Sequence, residues 1–69
     1  MDYIATLKDQ LIIVKRTQTY LLSELDNSLI PHKVRNDYRK LIVEAAVIIR
    51  DTIEVIIKLE KLEVKNHEV

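Results

Sequence analysis

A chain of 69 residues forms one small domain at most, and a lone chain of that size buries too little apolar surface to be comfortably stable without a disulfide, a metal or a partner copy. With no cysteine, disulfides and thiolate metal sites are excluded, and an apolar fraction of 48% excludes a disordered chain. Eleven basic and eleven acidic residues cancel, so bulk attraction to nucleic acid or to an anionic membrane is not expected.

The opening "MDYIATLKDQLIIVKR" lacks a basic region followed by an apolar run and a cleavage site, so no signal peptide is expected. Charges at Glu44, Arg50 and Glu54 interrupt the longest apolar stretches before they reach membrane-spanning length. A soluble, cytoplasmic chain is the expectation. The chain has no glycine, which argues against a β-rich fold of tight turns. Two long helices fit better.

The first helix is predicted over about residues 2–27. Ile4, Leu7, Leu11, Val14, Leu21 and Leu25 recur at spacings of three and four, with Gln18 in the one polar slot. That is a heptad seam. Ile12, Ile13 and Leu22 lie off it and widen the apolar face. Asp2 stands where a helix start favours an acid.

The bend is predicted over residues 28–36, within "SLIPHKVRNDYRK". Pro31 suits the first turn of the next helix, and Asn36 or Asp37 suits the cap of a later start.

The second helix is predicted over about residues 32–66. One seam runs Val34, Tyr38, Leu41, Ala45, Ile48, Val55, Leu59 and Leu62, with Thr52 in its gap. A parallel stripe runs Ile42, Ala46, Ile49, Ile53 and Ile56. At about 100° per residue the two cover roughly half the helix circumference. A strand reading would put Glu44, Arg50 and Glu54 on one face with Ile42, Ala46, Ile48 and Ile56. The helical reading separates them. Glu54 and Lys58 are spaced for an i,i+4 ion pair, and Lys58, Lys61 and Lys65 suit a helix C-terminus. The tail "NHEV" is expected to fray.

The fold class that follows is all-α: a single domain, residues 1–69, built as an antiparallel two-helix hairpin. An apolar face twice as wide as one partner helix covers calls for further copies, as a four-helix-bundle dimer or a higher oligomer. Leu7, Leu11, Val14, Gln18, Leu21, Leu41, Ile42, Ala45, Ile48, Ile49, Thr52, Ile53, Val55, Ile56 and Leu59 are the expected oligomer interface. Gln18 and Thr52, both near mid-helix, are placed to face each other across the bundle and fix its register.

Chemistry is sparse. Ser23 and Ser28 have no base in helical register, and a Ser–His pair with His32 lacks a rigid elbow. No glycine-rich loop is present to cradle phosphate. His32 and His67 lie at opposite ends of the second helix, and Glu63 with His67 is a lone i,i+4 pair. Neither amounts to a metal site. No enzyme activity, cofactor or metal is expected. Ser23-Glu24-Leu25-Asp26 resembles the Ser-x-x-Leu-Asp signature of small helical-hairpin aspartyl-phosphate phosphatases of sporulating bacteria. It is one residue too short and sits on the first helix, whereas that family carries it on the second. Those departures give no ground for that activity here.

What remains is the basic cluster at the bend. Lys33, Arg35, Arg39 and Lys40 stand against one acid, Asp37. On a helix starting near Pro31, His32, Arg35 and Arg39 share a face, and Tyr38 is near enough to stack or hydrogen-bond. His32, Lys33, Arg35, Tyr38, Arg39 and Lys40 are therefore the candidate ligand-binding residues, for an anionic, phosphate-bearing small molecule such as a nucleotide at a helix N-terminus. Glu24 and Asp26, at the same bend, offer a plainer fate for these charges as surface ion pairs.

Two functions follow. The first is a non-enzymatic, self-associating protein-interaction module, binding itself and a protein partner, of the kind found among regulators, adaptors and phage- or plasmid-encoded inhibitors. Ile13, Tyr20, Val43, Val47 and Ile57 are its partner-facing candidates. The alternative is an oligomer that sequesters a phosphate-bearing ligand at residues 32–40. Nucleic acid is not an expected partner, because a neutral dimer offers only two small basic spots.

Overall fold

A computed structural model describes residues 2–67, with side-chain surroundings described through Val64. Two helices make up the fold: α1 (Tyr3–Leu25) and α2 (His32–His67). Contacts between them run in opposite directions along the two sequences. Arg35 reaches Leu25, Gln18 reaches Ile42, and Lys8 reaches Glu60. The pair is therefore an antiparallel hairpin. The chain is a rod of 59 × 16 × 16 Å with a radius of gyration of 16.6 Å, where a compact chain of this length would have about 11 Å.

α1 starts where Asp2 caps it. The Asp2 carboxylate accepts the Ile4 and Ala5 N–H groups at 3.1 and 3.2 Å, satisfying two of the orphan donors of the first turn. At its other end, no described residue adopts positive φ, so the helix closes without the left-handed cap that glycine usually supplies. Tighter backbone bonds do the work instead: Asp26 N–H donates to the Ser23 carbonyl at 3.2 Å and Asn27 N–H to the Glu24 carbonyl at 3.0 Å. The bend that follows is ordered by Asn27. Its side-chain oxygen accepts the Leu29 N–H at 3.0 Å and its carbonyl accepts the Ile30 N–H at 3.3 Å.

α2 begins directly after Pro31. The proline carbonyl accepts the Arg35 N–H at 3.0 Å, the first bond of the helical ladder. Proline's fixed φ favours this place, and its missing N–H costs nothing there. Asn36 and Asp37 lie inside the helix, so the later start considered above is not taken.

The α1 seam is the predicted one. Ile4, Leu7, Leu11, Val14, Gln18, Leu21 and Leu25 are the residues of that heptad row, and all are buried or half-buried. The α2 seam differs from the expectation. It runs Tyr38, Ile42, Ala45, Ile49, Thr52, Ile56 and Leu59, drawn from both predicted stripes. Leu41, Ile48, Val55 and Leu62 stay exposed. Both rows obey the same three-and-four spacing, flanking the Ala45–Thr52–Leu59 row on either side. One partner helix covers one flank only. Arg35 selects which: it lies one heptad before Ile42 on the same row and is bound to the end of α1, which turns the Ile42–Ile49–Ile56 row inward.

Gln18 donates its side-chain Nε2–H to the Ile42 carbonyl at 3.3 Å. Thr52 sits ten residues further along α2, about 15 Å away along the axis. Within the hairpin, therefore, the two polar seam residues do not face each other. α2 also outruns α1. It has 36 residues against 23, and every described side chain after Leu59 is exposed.

The core is thin. Among the described residues, Leu21, Ala45 and Ile56, each 7% exposed, are the buried apolar side chains. The chain exposes 5734 Å², against about 4,500 Å² for a compact protein of its mass. Among the described residues no helix is long and apolar enough to cross a membrane.

Candidate functional site

The basic bend does not gather into one pocket. Arg35 is committed elsewhere: its guanidinium donates to the Leu25 carbonyl, and again to the Asn27 carbonyl at 3.2 Å. Those carbonyls close α1, whose last acceptors have no intrahelical donor. A cation at a helix C-terminus also complements the dipole. Charge clustering in the sequence groups Arg35 with a ligand site. Ten residues separate it from Leu25, and no local spacing signals the contact. Tyr38 is half-buried in the seam, which places its ring in packing.

The other four candidates are exposed. His32 and Lys33 occupy the first turn of α2, and Arg39 touches the Asn36 side-chain oxygen at 3.4 Å. Arg39 and Lys40 border an open depression with Val43 and Glu44. The ion pairs among the described residues are Lys8–Glu60 at 3.2 Å and Arg50–Asp51 at 3.3 Å. Glu24 and Asp26 thus leave the basic cluster unneutralised by direct pairing, and Glu54 with Lys58 does not form the pair its spacing suggested.

Among the described residues, no three His, Asp or Glu side chains come together as a metal cluster. The His67 and Lys65 side chains, and residues 68 and 69 of the tail, lie outside the described residues. The hydroxyls of Thr6, Thr17, Thr19 and Ser23 donate to backbone carbonyls three or four residues earlier, which engages these four groups locally.

The more developed surface is apolar. A groove of about 290 Å³ lies along one face of the hairpin. Ile13, Val14, Thr17 and Leu21 form its α1 wall, and Leu41, Glu44, Ala45 and Ile48 its α2 wall. Leu41, Ile48, Val55 and Leu62 continue it as a row seven residues apart, each between 45 and 55% exposed. The opposite face carries Ile12, Leu22, Ile53 and the Lys8–Glu60 bridge, with a shallower depression at Ile12, Lys15, Arg16 and Thr19.

Of the fifteen residues expected at an oligomer interface, the hairpin seam takes Leu7, Leu11, Val14, Gln18, Leu21, Ile42, Ala45, Ile49, Thr52, Ile56 and Leu59. Leu41, Ile48, Val55 and Ile53 are left to solvent. Ile13, Tyr20, Val43, Val47 and Ile57 are exposed as well. Comparison with known protein families, with characterised proteins and with solved structures finds no match to this chain.

Proposed function

We propose that this chain is a non-enzymatic, self-associating helical module that works by holding a protein partner, as a regulator, adaptor or inhibitor does. The observation that carries the reading is the row Leu41, Ile48, Val55 and Leu62, half-exposed over three heptads of α2 and continuous with an apolar groove. Isolated exposed apolar residues need no explanation, but a contiguous row of this length marks a contact surface. The excess area points the same way. Two free hairpins expose more than a compact protein of twice the mass by roughly 4,000 Å², an amount within the range of obligate dimer interfaces.

Self-association covers one face and leaves the other. Val43, Val47 and Ile57, together with Ile12, Leu22 and Ile53, are then available to a partner of different sequence. Mass at native concentration, by light scattering or native mass spectrometry, tests the first half of the proposal: a dimer or larger species is expected, and a lone chain at micromolar concentration refutes it.

The unpaired charge at the bend favours a second reading. His32, Lys33, Arg39 and Lys40 lie within the first three turns of α2, and among the described residues neither Glu24 nor Asp26 forms an ion pair. An oligomer would repeat this cluster and offer it to a phosphate-bearing ligand. Thermal-shift measurements with nucleotides, cyclic dinucleotides included, decide it. Stabilisation lost on Arg39→Ala would support sequestration, and no shift at millimolar ligand would remove it.

A further inference from the structure

The groove between Ile13, Thr17 and Leu21 on one side and Leu41 and Ile48 on the other is unfilled within the hairpin. Its neighbours on α2 carry charge in a particular order. Three residues after Leu41, Ile48 and Val55, at heptad intervals along the same edge, come Glu44, Asp51 and Lys58. Acid thus flanks the row near the bend and base flanks it toward the far end. The apolar row is also symmetric about its middle: Leu41 pairs with Leu62 and Ile48 with Val55 about a point near residues 51–52. Reversing α2 about that point carries Lys58 to the level of Glu44 and apolar residues onto apolar residues.

Resting on the self-association proposed above, we propose that the groove is occupied by a second copy of this chain, set antiparallel, with α2 against α2 and the two bends at opposite ends. Val55 and Leu62 of the second copy enter the groove beside Leu41 and Ile48, and Lys58 of the second copy meets Glu44. Each contact occurs twice, as two-fold symmetry requires. The reversal also covers the overhang of α2. The end of α2 beyond the Lys8–Glu60 contact, whose described side chains are all exposed, lies opposite residues 36–42 of the second copy. A dimer with both bends at one end would place α2 against α1 of the second copy and leave both overhangs bare. The one like-charged meeting, Asp51 with Asp51, falls on the axis, and Arg50 stands 3.3 Å from that carboxylate.

The unmodified chain supplies the test. Glu44 and Lys58 are fourteen residues apart on one helix, about 21 Å, so a zero-length carboxyl–amine cross-link between them can form only between copies. Carbodiimide coupling followed by peptide mass spectrometry should find that link in the dimer band. Glu44→Lys and Lys58→Glu should each raise the dimer dissociation constant about tenfold, because two attractive contacts become repulsive. The double variant should return to within about threefold of the original, since opposite charges again meet. A dimer that lacks the link and is indifferent to both reversals overturns this arrangement and leaves self-association standing. A chain that stays monomeric at every concentration overturns both.

Discussion

Replacing Arg35 by alanine separates a structural role from a ligand-binding one. The guanidinium bonds the Leu25 and Asn27 carbonyls, and it is half-buried against the end of α1. Hydrogen bonds from a charged donor contribute about 1.5–3 kcal/mol where water is excluded. Here water can reach both carbonyls once the side chain is gone, so the lower end of that range applies to the two together. The helix-dipole contribution adds about 0.3–1 kcal/mol. A loss of about 2–2.5 kcal/mol follows, and at about 4–8 °C per kcal/mol for a domain of this size the melting temperature should fall by roughly 8–20 °C. Lysine at this position keeps the charge but brings one point donor where two carbonyls are spaced for a fork, so Arg35→Lys should recover less than half of the loss. Circular dichroism melts at matched protein concentration provide the measurement, the matching being needed because oligomers melt at concentration-dependent temperatures. An Arg35→Ala variant that melts within about 2 °C of the parent would show that the two bonds do not hold the hairpin and that Arg35 does not set the rotation of α2.

The remaining predictions concern the seam, the cap and the exposed row. Ile56→Ala, at a buried core position, should cost about 2–5 kcal/mol through lost burial and the space left behind. Leu29→Ala, 88% exposed in the bend, should leave the urea midpoint unchanged, and equal effects from the two would contradict the packing described. Asp2→Ala removes the oxygen that caps Ile4 and Ala5 and should cost about 1 kcal/mol, read as an earlier thermal midpoint. Gln18→Leu should be neutral or stabilising by urea denaturation. The Ile42 carbonyl that Gln18 meets lies inside α2, so no acceptor is orphaned, and a buried apolar side chain replaces a modest hydrogen bond. A loss above about 2 kcal/mol would mean that the bond is a structural requirement. Ile48→Ala should shift the dimer dissociation constant by roughly thirtyfold. The half of this side chain left exposed in the hairpin is worth about 1 kcal/mol on burial, and a two-fold dimer counts it twice.

Much of the architecture is legible in the one-dimensional pattern. The absence of glycine and the three-and-four spacing from Ile4 to Leu25 specify α1, and every residue of that row is sheltered in the hairpin. Beside that unbroken row Ile12, Ile13 and Leu22 are scattered and form no second row of equal length, so one face of α1 outranks the others. Asp2 at the start of α1 and Pro31 just before α2 mark boundaries for local reasons, because caps act through bonds only two to four residues long. The second helix is different. Rows through Ile42 and through Leu41 have the same spacing and comparable apolar content, and periodicity ranks neither above the other.

Only the tertiary arrangement decided which row turns inward. Arg35 crosses from α2 to the carbonyl end of α1, a contact between residues ten apart that no helical period encodes. The same contact withdraws a cation from the group that charge counting had assigned to a ligand. The level of one helix against the other likewise put Gln18 beside Ile42 and left Thr52 opposite a different turn. Local sequence determines helices because their hydrogen bonds close within four residues. The rotation and offset of two finished helices depend on which side chains meet across the space between them, and that is known only once the chain has folded back on itself.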